Sequence, residues 1–157
     1  MNKINKPKAQ LPKGFKDSSE ENLDIRNQVI TIIRNECEKF GFRNIDTPAL
    51  EYTEALGKFL PDVDRPSGGV FSFQDEDDQW ISMRYDLTAP LARYVAENYQ
   101  FIPKPFKRYQ VGSVWRNEKP GPGRYREFIQ FDADVIGISN NYIDAELCVM
   151  VAKIFLE

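Results

Sequence analysis

The chain has 157 residues, 41% of them hydrophobic and 29% charged, which is enough to bury one domain-sized core and ordinary for soluble globular material. It contains no histidine, so no Ser–His or Cys–His nucleophile and no His-ligated metal can be built from this chain alone. A net charge of −3 gives no global nucleic-acid footprint. With no long apolar run and no signal-peptide pattern in view, a cytoplasmic location without membrane contact is the expectation.

Residues 1–12 are polar with scattered lysines and read as a flexible N-terminal arm, with Leu11 to Phe15 as a docking turn. Ser18 with Glu21 three positions later predicts a capping box. The helix that follows carries Ile25, Val29, Ile32, Ile33, Cys37 and Phe40 at helical spacing and stops at Gly41. Phe42 to Glu51 reads as a strand ending at a proline, Pro48, followed by a short helix over Glu51 to Lys58 and a loop from Pro61 to Gly69. Val70–Gln74 and Trp80–Asp86, separated by the acidic turn Asp75–Asp78, predict a hairpin. Thr88 is placed to cap a helix to Asn98 with Leu91, Tyr94 and Val95 inward. A last helix over Tyr142 to Glu157 turns Ile143, Leu147, Met150, Val151 and Ile154 inward. Cys37 and Cys148 lack disulfide-framework or metal spacing and read as small buried residues.

The most informative stretch runs from Phe106 to Gly137. Two alternating runs flank Lys119-Pro120-Gly121-Pro122-Gly123, a strong turn signal. The period of two puts Ile129, Phe131, Ala133 and Val135 on one packed face. The opposite face carries Arg126, Phe128, Gln130, Asp132 and Asp134, with Arg108, Gln110, Gly112, Val114 and Arg116 on the outgoing strand. A face spent on Arg, Gln and Asp reads either as solvated sheet or as the floor of a polar site. From Lys104 to Arg126, Lys104, Lys107, Arg108, Arg116, Lys119, Arg124 and Arg126 stand against Glu118 alone, a local basic patch suited to phosphates.

The order Arg116-x-Glu118, a loop, then Arg124-x-x-x-Phe128 resembles motif 2 of the class II aminoacyl-tRNA synthetases. GRYREF followed by Gln130 and Asp134 resembles the histidyl-tRNA synthetase version. Met83 to Pro90 is similar to the block that precedes a helix in that subclass, the helix–strand unit ending at Pro48 resembles motif 1, and Gly14-Phe15-Lys16-Asp17 resembles the family's entry segment.

The resemblance implies an α+β fold, a class II synthetase-like antiparallel sheet flanked by helices. Residues 13–157 would be the N-terminal part of the catalytic domain, with motifs 1 and 2, ending before motif 3 and the anticodon-binding domain. It implies activation of L-histidine with ATP and Mg2+, transfer to tRNA(His), and a homodimer with Pro48 at its interface. Arg116 would be the catalytic residue on the α-phosphate, with Glu118 and Phe128 at adenine and Arg124 on the outer phosphates. Asp86, Thr88, Gln130 and Asp134 would hold histidine, Gly112 would leave room for a ligand, and Asn117, Lys119 and Arg126 would contact the tRNA acceptor end. Asp86 and Asp134 stand where many bacterial members carry Glu, and the motif 2 loop is Pro/Gly-rich. Two rival readings are a non-catalytic histidyl-tRNA synthetase-like regulatory subunit of ATP phosphoribosyltransferase and a dimerisation or RNA-binding fragment. Presence of the Arg116, Glu118, Arg124 and Phe128 set ranks the ligase first.

Overall fold

The computed structural model describes residues 8–59 and 69–157. Helix α1 spans Glu20–Lys39. Its N-cap is Ser19 rather than Ser18, with Ser19 Oγ accepting from the Asn22 amide at 3.4 Å, so the expected Ser18–Glu21 box is displaced by one residue. Glu20 and Glu21 remain in the first turn, where they offset the helix dipole. Gly41 ends the helix with φ +77°. The Phe42 amide reaches back to Cys37 O and the Gly41 amide to Glu38 O, both at 3.0 Å. This crossed pair satisfies the last carbonyls and needs a residue at ease in the left-handed region.

The single strand expected over Phe42 to Glu51 is instead two. Strand β1, Arg43–Asn44, pairs parallel with β5, Phe106–Trp115. Strand β2, Leu50–Tyr52, joins a different sheet by pairing antiparallel with β4, Trp80–Met83. Pro48 lies between them, and a residue without an N–H cannot carry a ladder through. Strand β3, Ser72–Gln74, completes that second sheet in the order β2-β4-β3. A 3-10 helix over Thr53–Phe59 replaces the short helix expected from Glu51. The expected loop from Pro61 to Gly69 falls, but for Gly69, outside the described residues.

The first sheet has the order β1-β5-β6, where β6 is Glu127–Ile136. Ten residue pairs link β5 and β6, from Phe106↔Ile136 to Trp115↔Glu127, the long hairpin expected from the Pro/Gly turn. One of its faces packs on the helices. Tyr109 joins Ile33 and Cys37 of α1, Phe42, and Met150 of α3 (Tyr142–Ile154) in a buried cluster, with Val111, Phe131, Ala133 and Val135 against it. Cys37 is fully buried, and that burial pushes its thiol up to about 11.

Four positions expected inside are not. Ile25, Val29, Ile129 and Val151 are 53%, 49%, 40% and 40% exposed, and Cys148 is exposed as well. Val151 and Cys148 line an open cleft with Phe131 and Ala133, and Ile129 lines another beside Asn22 and Arg26 of α1.

The two sheets meet through Arg84, just past β4. Its amide donates to Ala49 O at 2.9 Å and its carbonyl accepts from the Trp115 amide at 3.0 Å. Helix α2, Thr88–Asn98, starts immediately after and buries Leu91. The second face of β5–β6 therefore lies beneath the 84–91 segment rather than open to solvent.

Candidate functional site

The polar face of the hairpin is roofed by residues 84 to 91, and the side chains meet in a chain of contacts. Asp86 Oδ1 accepts from the Thr88 and Ala89 amides at 3.1 and 2.9 Å. Asp86, not Thr88, is thus the side chain that caps α2, where a carboxylate suits the free amides. The Thr88 hydroxyl is released for another use and donates to Asp132 Oδ2 at 3.3 Å. Gln130 Nε2 donates to Asp132 Oδ1 at 2.8 Å. Asp86, Thr88 and Gln130 are thereby joined through Asp132, a residue on the expected face but without an expected role.

Asp134 is held from below. Arg108 stands directly opposite in the ladder, and its Nη2 lies 2.7 Å from Asp134 Oδ2. The pair is within ion-pair distance, but its angles fall short of an aligned hydrogen bond, since Asp134 Oδ2 has no hydrogen-bond partner among the described residues. Arg108 is fully buried and also donates from Nη2 to Leu87 O at 3.3 Å. Burial raises the Asp134 carboxyl and lowers the Arg108 guanidinium, while each charge draws the other back toward its ionised form.

Gly112 is taken up by protein. A Cβ there would sit 2.5 Å from Arg84 Nη2, so the glycine makes room for Arg84 and not for a ligand. Arg84 is itself pinned, its Nε donating to Ser113 O at 2.8 Å and its Nη1 to Thr47 O at 2.6 Å.

At the far end of the hairpin Arg116 lies between two rings, 4.4 Å from the Tyr85 centroid and 5.0 Å from that of Phe128. Its Nε donates to Tyr85 O at 3.3 Å. Flat guanidinium groups favour such stacking, which fixes the plane of the cation. Glu118 accepts from the Tyr85 hydroxyl at 2.8 Å and pairs with Arg124. Those two contacts hold its carboxyl below the usual range, the tyrosine first and Arg124 second.

Asn117 and Lys119 are exposed on the loop. Arg126 is engaged within the protein. Its Nε donates to Glu118 O at 2.9 Å and its Nη1 to Lys13 O at 3.4 Å, and its guanidinium lies 5.9 Å from the Phe71 ring. It clamps the hairpin loop to the 13–15 turn. Pro48 is exposed and lines a cleft with Asp46, Leu50, Tyr52, Arg93 and Tyr94.

The structure thus brings Asp86, Thr88, Gln130 and Asp134 to one end, and Arg116, Glu118, Arg124 and Phe128 to the other. Sequence reasoning gave no site role to Arg84, Tyr85 and Asp132, and read Arg108 only as part of a basic patch for phosphates, whereas it is buried against Asp134. Alternation already put Arg108 and Asp132 on the right face. Their pairing needed the strand register, and Tyr85 needed the approach of β4 to the hairpin.

With the geometry in hand, the likeness to known proteins is specific. The sequence profile of the family described as Histidyl-tRNA synthetase matches residues 14–156. The histidine–tRNA ligase of Brucella ovis is 57% identical over 150 residues, covering 96% of this chain and 30% of that protein. That of Rhodopseudomonas palustris is also 57% identical, over 29% of its length. Among solved structures, histidyl-tRNA synthetase from Nostoc sp. PCC 7120 superposes with a TM-score of 0.79 at 28% identity, covering 94% of this chain and 34% of that one. A protein from Bacillus halodurans described as an ATP phosphoribosyltransferase regulatory subunit/histidyl-tRNA synthetase gives 0.79 at 25% identity, covering 97% of this chain and 40% of that one. The chain spans about 30% of the length of the curated relatives it matches. Across that span its α+β fold is that of the class II synthetases, and the chain belongs to the histidyl-tRNA synthetase family.

Proposed function

We propose that this chain carries the ATP- and histidine-binding floor of a histidine–tRNA ligase, the part that positions the amino acid carboxylate against the α-phosphate. One observation carries the reading: a single sheet face holds a stacked, oriented guanidinium at one end and a half-buried carboxylate and amide set at the other. Adenylate formation needs that arrangement. The substrate carboxylate is already a nucleophile, so a P–O bond forms at the α-phosphorus as pyrophosphate leaves, without a protein base. Positioning and stabilisation of developing charge do the catalytic work.

In this reading Arg116 meets the α-phosphate. Its Nε–H is committed to Tyr85 O, and the terminal nitrogens carry four further N–H donors. Phe128 stacks on adenine, Glu118 receives the adenine amino group, and Arg124 turns from Glu118 to the outer phosphates. Asp86, Thr88, Gln130 and Asp134 take the ammonium and imidazole of histidine. Asn117, Lys119 and Arg126 face the tRNA acceptor end, with Arg126 acting through the loop it clamps. The exposed apolar residues Ile25 and Val29 on α1, and Leu50 and Tyr52 beside Pro48, support a second copy docking there.

The described residues contain no group of three or more Asp, Glu, His or Cys side chains able to hold a metal. In this reading magnesium would enter with the triphosphate, where it neutralises phosphate charge.

The Bacillus halodurans likeness favours one other reading, a non-catalytic regulatory relative. The full Arg116, Glu118, Arg124 and Phe128 set supports the ligase over it. Calorimetric titration of this chain with a sulfamoyl histidyl-adenylate analogue and its prolyl counterpart is the test. Selective binding of the histidyl compound is expected. Equal binding of the two, or binding of neither, would refute recognition by these residues.

A further inference from the structure

Arg108 is the most deeply buried charge on the floor, at 0% exposed. Its Nε and Nη1 have no partner among the described residues. A desolvated cation with two idle donors lowers stability relative to an apolar side chain of similar size, so stability does not account for it. Its one engaged nitrogen explains more. Nη2 reaches Asp134 on β6 and the carbonyl of Leu87, the residue between Asp86 and Thr88. One guanidinium therefore touches both segments that face histidine in the proposed ligase function, on which this inference rests.

We propose that Arg108 is a positioning residue for histidine recognition, tying the Asp134 carboxylate to the Leu87 backbone so that the two walls of the amino acid site keep a fixed spacing. It acts through Asp134 and does not touch the substrate. It also supplies the cation that keeps Asp134 an acceptor, against burial and the neighbouring Asp132 charge that favour the neutral acid. ATP, bound at the Arg116 end, does not use this tie.

The test is titration of the chain and its Arg108→Met, Arg108→Lys and Asp134→Asn variants with the sulfamoyl histidyl-adenylate analogue and, separately, with ATP. Arg108→Met should weaken the analogue by about 30-fold or more while changing ATP affinity by less than about threefold, in line with loss of a buried charged partner. Arg108→Lys should recover part of the loss, because an ammonium reaches Asp134 or Leu87 O but not both. A purely structural role would weaken both ligands together, and that result overturns the inference. An unchanged analogue affinity in Arg108→Met, with a clear loss in Asp134→Asn, also overturns it while leaving the histidine site standing. An Asp134→Asn chain that binds the analogue normally overturns the site and the inference together. If Arg108→Met does not fold, Arg108→Lys decides by the same split between ligands.

Discussion

Gly112→Ala offers a direct check on how the floor is built. The new methyl carbon would stand 2.5 Å from Arg84 Nη2 and 3.4 Å from its Cζ. An unanchored guanidinium could swing away at little cost. This one cannot, because Nε and Nη1 are tied to Ser113 O and Thr47 O at 2.8 and 2.6 Å, and Arg84 is 6% exposed. Relief requires either stretching those charge-assisted bonds, worth about 1.5–3 kcal/mol each, or shifting backbone, with overpacking of roughly 1–3 kcal/mol. A destabilisation of about 2–4 kcal/mol follows, which lowers Tm by about 5–15 °C in a chain of this size. Urea denaturation of the parent, Gly112→Ala, Arg84→Met and the double variant measures it. Arg84→Met is destabilising in its own right, since two carbonyls lose their donor, but it removes the clash. Gly112→Ala should then add little in that background. A cost below about 0.5 kcal/mol for Gly112→Ala alone would refute this packing, as would strict additivity with Arg84→Met.

Three further outcomes are expected. Arg116→Ala, tested with this segment replacing the matching part of the Brucella ovis ligase, should lower histidine-dependent ATP–pyrophosphate exchange by at least about a hundredfold; an unchanged rate removes Arg116 from the chemistry. A thiol reagent should label Cys148 quickly and Cys37 only after denaturant is added, because one thiol is exposed and the other is buried and raised to about 11; equal labelling would contradict the packing of α1. The Glu118 carboxyl should titrate below the range of exposed glutamates in a carbon-detected NMR titration. Because its folded pKa is depressed, its contribution to stability is present above the ordinary carboxylate range and is lost as pH falls through the lowered value; a normal titration would show that the Tyr85 and Arg124 contacts do not persist in solution.

Much of the floor was legible in the sequence because a strand has a period of two. Once the Pro/Gly turn marked the hairpin, parity alone put Gln130, Asp132 and Asp134 opposite Phe131 and Ala133. Gly41 was readable for a similar reason, since few other residues end a helix at positive φ. Contacts that depend on a second element were not readable. Parity could say that Gly112 faced the site, but only the fold brings Arg84 against it. Asp86 and Thr88 both suit a helix start, and the local chain geometry decides which one caps. Two adjacent serines left the α1 cap open by one residue. The split of Phe42 to Glu51 between two sheets was hidden, because each half is individually a good strand and only the partners differ.

The opposition of Arg108 and Asp134 also bears on how the hairpin finds its alignment during folding. Sliding β6 by one residue would exchange its two faces, which the apolar side forbids. Sliding by two keeps the faces and is the more dangerous error. In one direction Arg108 would face Asp132, but Asp134 would then stand against Phe106; in the other, Arg108 would face Ile136 and Asp134 would face Gln110. The second slip strands the buried Arg108 charge without a counter-ion, a penalty of about 3–5 kcal/mol, and the first leaves the half-buried Asp134 carboxylate against a phenylalanine. The pair thus acts as a key cut for one alignment of ten-residue strands whose Pro/Gly loop alone would tolerate several. The reciprocal exchange Arg108→Asp with Asp134→Arg should keep that alignment, read from cross-strand Hα–Hα contacts by NMR, and a shifted pattern would show that the loop and not the charges sets it.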